Sequence, residues 1–137
     1  GLASLEILDE VAARRNALAA EYRRDLSDLP GIGFVEQLAG AVSSHKDFSI
    51  TIDPKKFGMT RDALRRALAS EGIETRAYYD PPCHRQTAFE HFHDRARALP
   101  ATDILSARSL ALPIGGHVTD SIVSEICDVI GNAKRVA

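Results

Sequence analysis

The stretch Asp47-Phe48-Ser49-Ile50-Thr51-Ile52-Asp53 is the clearest structural signal in the chain, because apolar and polar side chains alternate along all of it. Residues two positions apart on a β-strand lie on the same face, so Phe48, Ile50 and Ile52 share one face. The polar residues lie on the other face. The stretch therefore predicts a strand in a sheet with one buried face.

Helical patterns lie on both sides of this strand. Residues 1–28 carry apolar side chains mostly at steps of three and four, which is typical of an amphipathic helix. The sequence Leu29-Pro30-Gly31 ends this helix, because proline cannot continue it and glycine permits the chain to reverse. Three later helices are predicted from Thr60 to near Gly72, from Thr102-Asp103 to Arg108, and from a cap at Thr119-Asp120 onwards.

Further short strands complete the predicted sheet, at Gly33–Glu36, Ile73–Tyr79 and Leu110–Leu112. Residues 79–100 form a long stretch without clear periodicity, and long loops of this kind are often functional. The sequence predicts one α+β domain over residues 1–137, built as two layers with a short, mainly antiparallel sheet covered by helices.

The first helix has more than one apolar face. Beside its main stripe, Ile7, Val11 and Leu18 form a second shoulder. One interpretation is a broad face turned to the core of the domain, and the other is a face that meets another domain or a partner subunit. We favour the second interpretation.

Composition narrows the function classes. The formal charge is −2, from 17 basic and 19 acidic residues, and tryptophan is absent, so nucleic acid is not an expected partner. No apolar run reaches the roughly 20 residues that span a bilayer, and no signal pattern opens the chain. Cys83 and Cys127 have no paired spacing, so we expect reduced thiols and a cytoplasmic protein.

The run from Arg76 to Gln86 (RAYYDPPCHRQ) holds the densest set of ligand-binding groups, on a turn stiffened by two prolines. Arg76 suits a carboxylate or phosphate, the phenols of Tyr78 and Tyr79 and the Gln86 amide suit hydroxyls, and the His84 imidazole suits either. Strand alternation predicts Tyr78 and Tyr79 on opposite faces. A surface turn whose tyrosines pack inward is the alternative interpretation, and the residues alone leave both open.

Ordered motifs at consistent spacing resemble the DegT/DnrJ/EryC1/StrS family of pyridoxal-phosphate-dependent sugar aminotransferases. The central motifs are His45–Phe48, Phe57–Leu64, Glu71–Arg76 and the Tyr-Tyr-Asp-Pro-Pro-Cys-His-Arg-Gln loop. The likeness extends upstream to Gly1–Leu5 with Ala12, Arg14, Arg15 and Asn16, and downstream to Leu99–Asp103 and Ser109–Ile114. It covers essentially the whole chain.

The resemblance implies the C-terminal small domain of a fold-type-I aminotransferase, with residues 1–29 as the connecting helix and 30–137 as an α/β body. In the family an N-terminal large domain holds pyridoxal phosphate, and the resemblance implies that residues 1–137 do not include it. The implied substrates are a nucleotide-activated keto sugar and an amino-acid donor, and the implied assembly is a homodimer. No catalytic residue is expected, and the isolated chain is expected to be inactive and to bind no cofactor.

The resemblance also places the loop against the cofactor cleft. The expected substrate-binding residues are therefore His84, Tyr79, Tyr78, Arg76, Gln86 and Lys46. Lys46 has the chemistry to form a Schiff base with pyridoxal phosphate, but no Gly-rich loop opens a helix to hold the phosphate, so we do not expect it to be the cofactor lysine.

Two other functions remain as alternatives. The chain could be a free-standing, non-catalytic α+β module that binds a ligand or a protein. Zinc binding by Cys83, His84, His91 and His93 is a weaker alternative, because paired ligands in two separated clusters are missing and solvated histidines explain the pattern. His117 is given no role.

Overall fold

The strands form one three-stranded antiparallel sheet in the order β1-β2-β3. They are β1 (Ile32–Phe34), β2 (Phe48–Ile52) and β3 (Ser109–Leu112), in a computed structural model that describes residues 6–38, 40–95 and 99–135, with 93–95 described by backbone alone. Ile50 of the central strand is opposite Phe34 on one side and Leu110 on the other. Phe48, Ile50 and Ile52 are buried, which confirms the predicted alternation.

The helices are α1 (Leu8–Leu26), α2 (Pro54–Phe57), α3 (Arg61–Ser70), α4 (Pro100–Arg108) and α5 (Asp120–Arg135). The two predicted caps are confirmed, because Thr60 Oγ1 accepts a hydrogen bond from the Ala63 amide (3.2 Å) and Thr119 Oγ1 accepts one from the Ile122 amide (3.3 Å). α4 begins before the predicted Thr102-Asp103, since Pro100 is well suited to the first turn of a helix.

The reversal after α1 depends on glycine. The helix ends at Leu26, and Gly31 has a φ of +93°, a backbone conformation that other residues rarely adopt. A Cβ atom at Gly31 would lie only 2.4 Å from the backbone nitrogen of Phe57. Glycine therefore allows the chain to enter β1 while passing directly against α2.

The core lies where α1, α3 and α5 meet the apolar face of the sheet. Tyr22 of α1 stacks on Phe48 with ring centroids 5.2 Å apart, and its hydroxyl donates to the Pro113 carbonyl oxygen at 2.9 Å. Burial raises the pKa of the Tyr22 phenol, so the hydroxyl keeps its proton and remains a donor. The other large, fully buried side chains are Leu18, Leu26, Ile50, Ile52, Phe57, Leu64, Leu68, Leu110, Val118, Ile126 and Ile130.

The interpretation of the second shoulder of α1 as a face for another domain or subunit is wrong at Leu18, because this side chain is completely buried. The helix packs against both Phe48 of the sheet and α5, so its buried face is wider than a single stripe. Val11 is half-buried, and Ile7 is exposed. The interpretation of a broad face turned to the core is therefore correct for Leu18.

The predicted strand Ile73–Tyr79 is also wrong, because only Arg76 forms a bridge, to Ala111. The backbone turns at Tyr78 and Tyr79 instead of continuing along β3. The following stretch, predicted as loop, contains two 3₁₀ segments at Cys83–Arg85 and Thr87–Arg95.

Among the described residues, none of the helices has both the length and the apolar character needed to cross a bilayer.

Candidate functional site

The loop from Arg76 to Gln86 is fixed to β3 at its start. The Arg76 amide donates to the Ala111 carbonyl oxygen at 3.1 Å, and the Ala111 amide donates back to the Arg76 carbonyl oxygen at 2.7 Å. The peptides Tyr78-Tyr79 and Asp80-Pro81 are cis. This bridge sets the direction in which the chain leaves the sheet.

The buried guanidinium of Arg61 joins the middle of the loop to α4. Its Nη1 donates to the carbonyl oxygens of Ser106 and Ser109, both at 3.2 Å, and its Nη2 forms an ion pair with Asp80. Its Nε lies 2.6 Å from Asp62 Oδ1, but at an angle that makes no hydrogen bond. One side chain of α3 therefore holds both the loop and the end of α4.

Two further contacts tie the loop to α4. The Ser106 hydroxyl donates to the Tyr79 carbonyl oxygen at 2.6 Å. Asp103 receives His84 Nε2 at 3.0 Å on one carboxylate oxygen and Arg85 Nη2 at 2.7 Å on the other. The hydrogen bond from Arg85, with a smaller effect of His84, lowers the pKa of the Asp103 carboxyl, so this group is an anion at neutral pH.

Two clefts flank the loop, and Tyr78 lines both. The polar cleft, of about 480 Å³, is lined by Tyr78 together with Lys46, Asp47, Glu71, Gly72, Ile73, Glu74, Arg76, Ala111, Leu112, Pro113, Ile114, His117, Val118, Ile122, Glu125 and Ile126. The apolar cleft, of about 320 Å³, is lined by Tyr78, Tyr79, Pro82, Cys83, His84, Leu99, Thr102, Leu105 and Ser106. Five of the six expected site residues are thus divided between two neighbouring clefts.

Arg76 and Lys46 line the polar cleft. The Lys46 ammonium lies 6.0 Å from the centre of the Tyr78 ring and 3.0 Å from Asp47 Oδ2. Arg76 forms an ion pair with Glu74, and both side chains are exposed, so a ligand anion can compete for the guanidinium.

Tyr79 and His84 line the apolar cleft. The Tyr78 and Tyr79 rings are 5.4 Å apart, so the predicted placement on opposite faces is wrong, because this part of the chain is a turn and not a strand. The His84 side chain is only 17% exposed, since it packs beside Asp103. Gln86 lines neither cleft, and its amide nitrogen donates to the Pro81 carbonyl oxygen at 3.2 Å.

The four lysines of the sequence have different surroundings. The hydrogen bond from Lys46 to Asp47 raises the pKa of the Lys46 ammonium, which favours its protonated form. Lys134 donates to the carbonyl oxygens of Lys56 and Phe57, at 2.8 and 2.9 Å. Lys55 and Lys56, the remaining lysines of the sequence, are exposed and line neither cleft.

The residues considered for zinc lie in the two 3₁₀ segments. Within the described residues no group of three or more His, Cys, Asp or Glu side chains could hold a metal ion. The His91 ring contacts the Phe92 ring at a tilt of 42°, with ring centroids 4.1 Å apart, and the His93 side chain lies outside the described part. Cys83 and Cys127 are free thiols, as predicted, and burial raises the pKa of Cys127 to about 12.

Sequence reasoning missed the residues that hold the loop, namely Arg61, Ser106 and Asp103. One signal was available for Arg61: it follows the Thr60 cap in the first turn of α3, where the helix dipole disfavours a cation. An arginine at that position suggests a buried partner elsewhere. Ser106 and Asp103 carried no comparable signal, because their partners depend on how α4 packs.

Comparison with known proteins identifies related sequences. A family model described as the DegT/DnrJ/EryC1/StrS aminotransferase family matches residues 1–131. A dTDP-3-amino-3,4,6-trideoxy-alpha-D-glucose transaminase of Streptomyces venezuelae is 32% identical over 130 residues, covering 94% of this chain and 33% of that protein. GDP-perosamine synthase of Vibrio cholerae is 31% identical over 132 residues, covering 96% of this chain and 35% of that protein.

A solved structure is also similar. The crystal structure of DesI in the presence of its TDP-sugar product superposes with a TM-score of 0.86 at 34% identity, covering 99% of this chain and 34% of that one. The chain thus spans about a third of the length of the relatives it matches. Because the family match takes in nearly all of the sequence, the chain belongs to the DegT/DnrJ/EryC1/StrS aminotransferase family.

Proposed function

We propose that this chain is the C-terminal, two-layer domain of a pyridoxal-phosphate-dependent aminotransferase that acts on a nucleotide-activated keto sugar. The size of the match supports a domain role, because relatives are about three times as long as the chain. Two similar proteins are named for dTDP-sugar and GDP-sugar chemistry, and DesI was solved with a TDP-sugar product. The whole enzyme is proposed to be a cytoplasmic homodimer with an amino-acid donor.

The main support for this proposal is that residues of the Arg76–Gln86 loop line both clefts. Its backbone is held by Ser106 and Ala111 and its Asp80 side chain by Arg61, while Tyr78 and Tyr79 remain 43% and 63% exposed. Exposed aromatic side chains on a fixed backbone suit substrate binding, because little conformational freedom is lost when a ligand binds.

Each side chain has a role suited to its chemistry. The cations of Arg76 and Lys46 bind the charged part of the nucleotide sugar, and the phenols of Tyr78 and Tyr79 hydrogen-bond its hydroxyls. Asp103 fixes the orientation of the His84 imidazole, which can then donate to or accept from the sugar. Gln86 supports the turn through Pro81. The cofactor carries the amino group in the family, and its lysine belongs to another part of the enzyme.

The first experiment tests the division of roles. We expect the isolated chain, mixed with pyridoxal phosphate and reduced with borohydride, to form no stoichiometric covalent adduct by mass spectrometry. A longer protein containing this chain is expected to form one and to transfer amino groups to a nucleotide keto sugar. An adduct on Lys46 of the isolated chain would contradict the domain role, and a binding module is supported if the longer protein transfers nothing.

The second experiment tests the loop in that longer protein. His84→Ala is expected to lower kcat/KM for the sugar about ten- to a hundredfold, as expected for losing one hydrogen bond to a charged ligand group. The half-reaction with the amino donor should change less. Arg65→Ala, at an exposed position of α3, is the control and should leave both half-reactions unchanged. Normal kinetics for the His84 variant would remove the loop from the substrate site.

A further inference from the structure

A separate polar pocket, of about 220 Å³, lies between α1, residues 35–38 and 43–47, and the start of β2. Its walls are Arg23, Val35, Gln37, Ser43, His45, Asp47, Phe48 and Ser49. Only Asp47 also lines the polar cleft beside the loop. The pocket is smaller than the roughly 300–1,000 Å³ typical of sites for drug-sized ligands, so it suits a small group.

Hydrogen-bond donors converge on this pocket. The Arg23 guanidinium lies over the Phe48 ring, 5.2 Å from its centre, and within the described residues it has no hydrogen bond or ion pair. The planar guanidinium thus keeps its paired N–H groups available for an acceptor. The Gln37 amide and the hydroxyls of Ser43 and Ser49 add further donors.

His45 is held in this pocket by an unusual backbone conformation. Its φ is +40°, a left-handed value that is costly for a residue with a Cβ atom, and such conformations concentrate at ligand sites. The residue is only 6% exposed, and its Nε2 lies 3.3 Å from the Gln37 amide nitrogen. Its backbone amide donates to Ser43 Oγ at 3.1 Å, which leaves the proton of the Ser43 hydroxyl free to donate elsewhere.

The charge balance of the pocket favours an anion. Asp47 is the only carboxylate among the lining residues, and its Oδ2 lies 3.0 Å from the Lys46 ammonium. That pair is formally neutral, so the charge of Arg23 is left uncompensated at the pocket. An oxyanion would supply acceptors for Arg23, Gln37 and the serines together.

We infer that this pocket binds a small oxyanion with the chemistry of a phosphoryl group. The planar fork of Arg23 matches two oxygens of such a group, and the serine and glutamine side chains match the others. The anion could be free phosphate or a phosphate carried by a nucleotide. The inference concerns residues other than those proposed to bind the sugar, and its test does not require enzymatic activity.

The test is a titration of the 137-residue chain with inorganic phosphate, followed by NMR of the His45 ring and the Arg23 Nε–H group. We expect saturable shifts at both groups. Arg23→Gln should weaken binding about ten- to a hundredfold, because it removes charge-assisted hydrogen bonds. The matched control is Arg24→Gln, since Arg24 pairs with Asp25 at 2.7 Å and does not line the pocket.

The controls separate the outcomes. An unchanged amide spectrum of the Arg23 variant shows that its fold is intact, and Ser43→Ala offers a second, smaller change that should also weaken binding. Displacement of phosphate by uridine diphosphate at His45 would assign the site to a nucleotide phosphate, and failure to displace it would assign the site to free phosphate. No saturable shift at tens of millimolar phosphate, or equal affinity of the Arg23 and Arg24 variants, would overturn the inference.

Discussion

Arg61 is the residue on which the loop and the end of α4 both depend. Its side chain is 2% exposed and contacts Asp80, Asp62 and two carbonyl oxygens. Arg61→Met keeps much of the volume but removes the hydrogen bonds to the Ser106 and Ser109 carbonyls and leaves Asp80 without its ion pair. We expect a loss of about 3 kcal/mol in the free energy of unfolding, measured by urea denaturation.

The matched control for this change is Arg65→Met on the same helix. Arg65 is exposed, so its replacement should alter the free energy of unfolding by no more than about 0.5 kcal/mol. A similar, small effect of both substitutions would mean that the contacts of Arg61 are exchanged for water without loss.

His45 gives the protein a pH dependence in phosphate-free buffer. Burial, and secondly the charge of Arg23, lower the pKa of its imidazole below the usual value near 6.5. The unfolded chain therefore binds this proton more readily than the folded chain. The contribution is fully present above about pH 6.5 and is lost as the pH falls through the folded-state pKa.

His45→Asn isolates this contribution, because asparagine tolerates the left-handed backbone but does not titrate. Thermal unfolding between pH 8 and pH 4.5 is expected to show a smaller loss of stability on acidification for the variant than for the parent chain. Parallel curves for the two proteins would show that His45 is protonated equally in the folded and unfolded states.

At the scale of the elements, the sequence predicts local burial better than it predicts hydrogen-bond ladders. β2 follows the alternation of its residues because its two neighbours pair along it. In Ile73–Tyr79 burial alternates around the bridge, since Thr75 is buried while Glu74 and Arg76 are exposed. The ladder nevertheless stops after one bridge, because contacts to Arg61 and Ser106 from distant parts of the chain fix the turn at Tyr79 and Asp80.

In the site, too, the sequence indicates the residues themselves better than the contacts between residues that are far apart in the chain. The residues of the loop could be selected from their chemistry, and the sequence motifs indicated the family. Their separation into a polar and an apolar cleft depends on where α4 and β3 lie, which no local pattern specifies. The contact between His84 and Asp103 joins residues 19 positions apart, so periodicity could not reveal it.

The contact between the loop and α4 can be weakened at Asp103. Asp103→Asn removes the anion that receives both His84 and Arg85, so the 3₁₀ segment Cys83–Arg85 should open more often. We expect faster amide hydrogen exchange, by about tenfold or more, for residues 83–86, with little change in the core of β2. Asp25→Asn, which removes a surface pair with Arg24, is the control and should leave exchange in the loop unchanged. Equal protection of the loop in both variants would show that Ser106 and Arg61 hold it without Asp103.

At the scale of the whole molecule, the apolar cleft is the surface expected to drive self-association. Tyr79, Leu99 and Leu105 line it and are 63%, 43% and 50% exposed. Burying side chains of this size contributes roughly 1.5 to 3 kcal/mol each, which favours a dimer at moderate concentration. The start of α1 offers less, because Leu18 belongs to the core. Among the described residues, Leu8 and the preceding Ile7 are the large apolar side chains exposed there.

Analytical ultracentrifugation of the 137-residue chain is therefore expected to show a species heavier than the monomer. The fraction of this species should rise with protein concentration. Leu105→Ser should shift the distribution towards monomer, since it removes an exposed apolar side chain of the cleft without touching the core. Leu8→Ser on α1, with 52% exposure against 50% for Leu105, is the matched control and should leave the distribution nearly unchanged. A stronger effect of the Leu8 change would move the interface to α1, and a monomer at all concentrations would mean that the cleft is too small or too polar at its edges to hold a second copy.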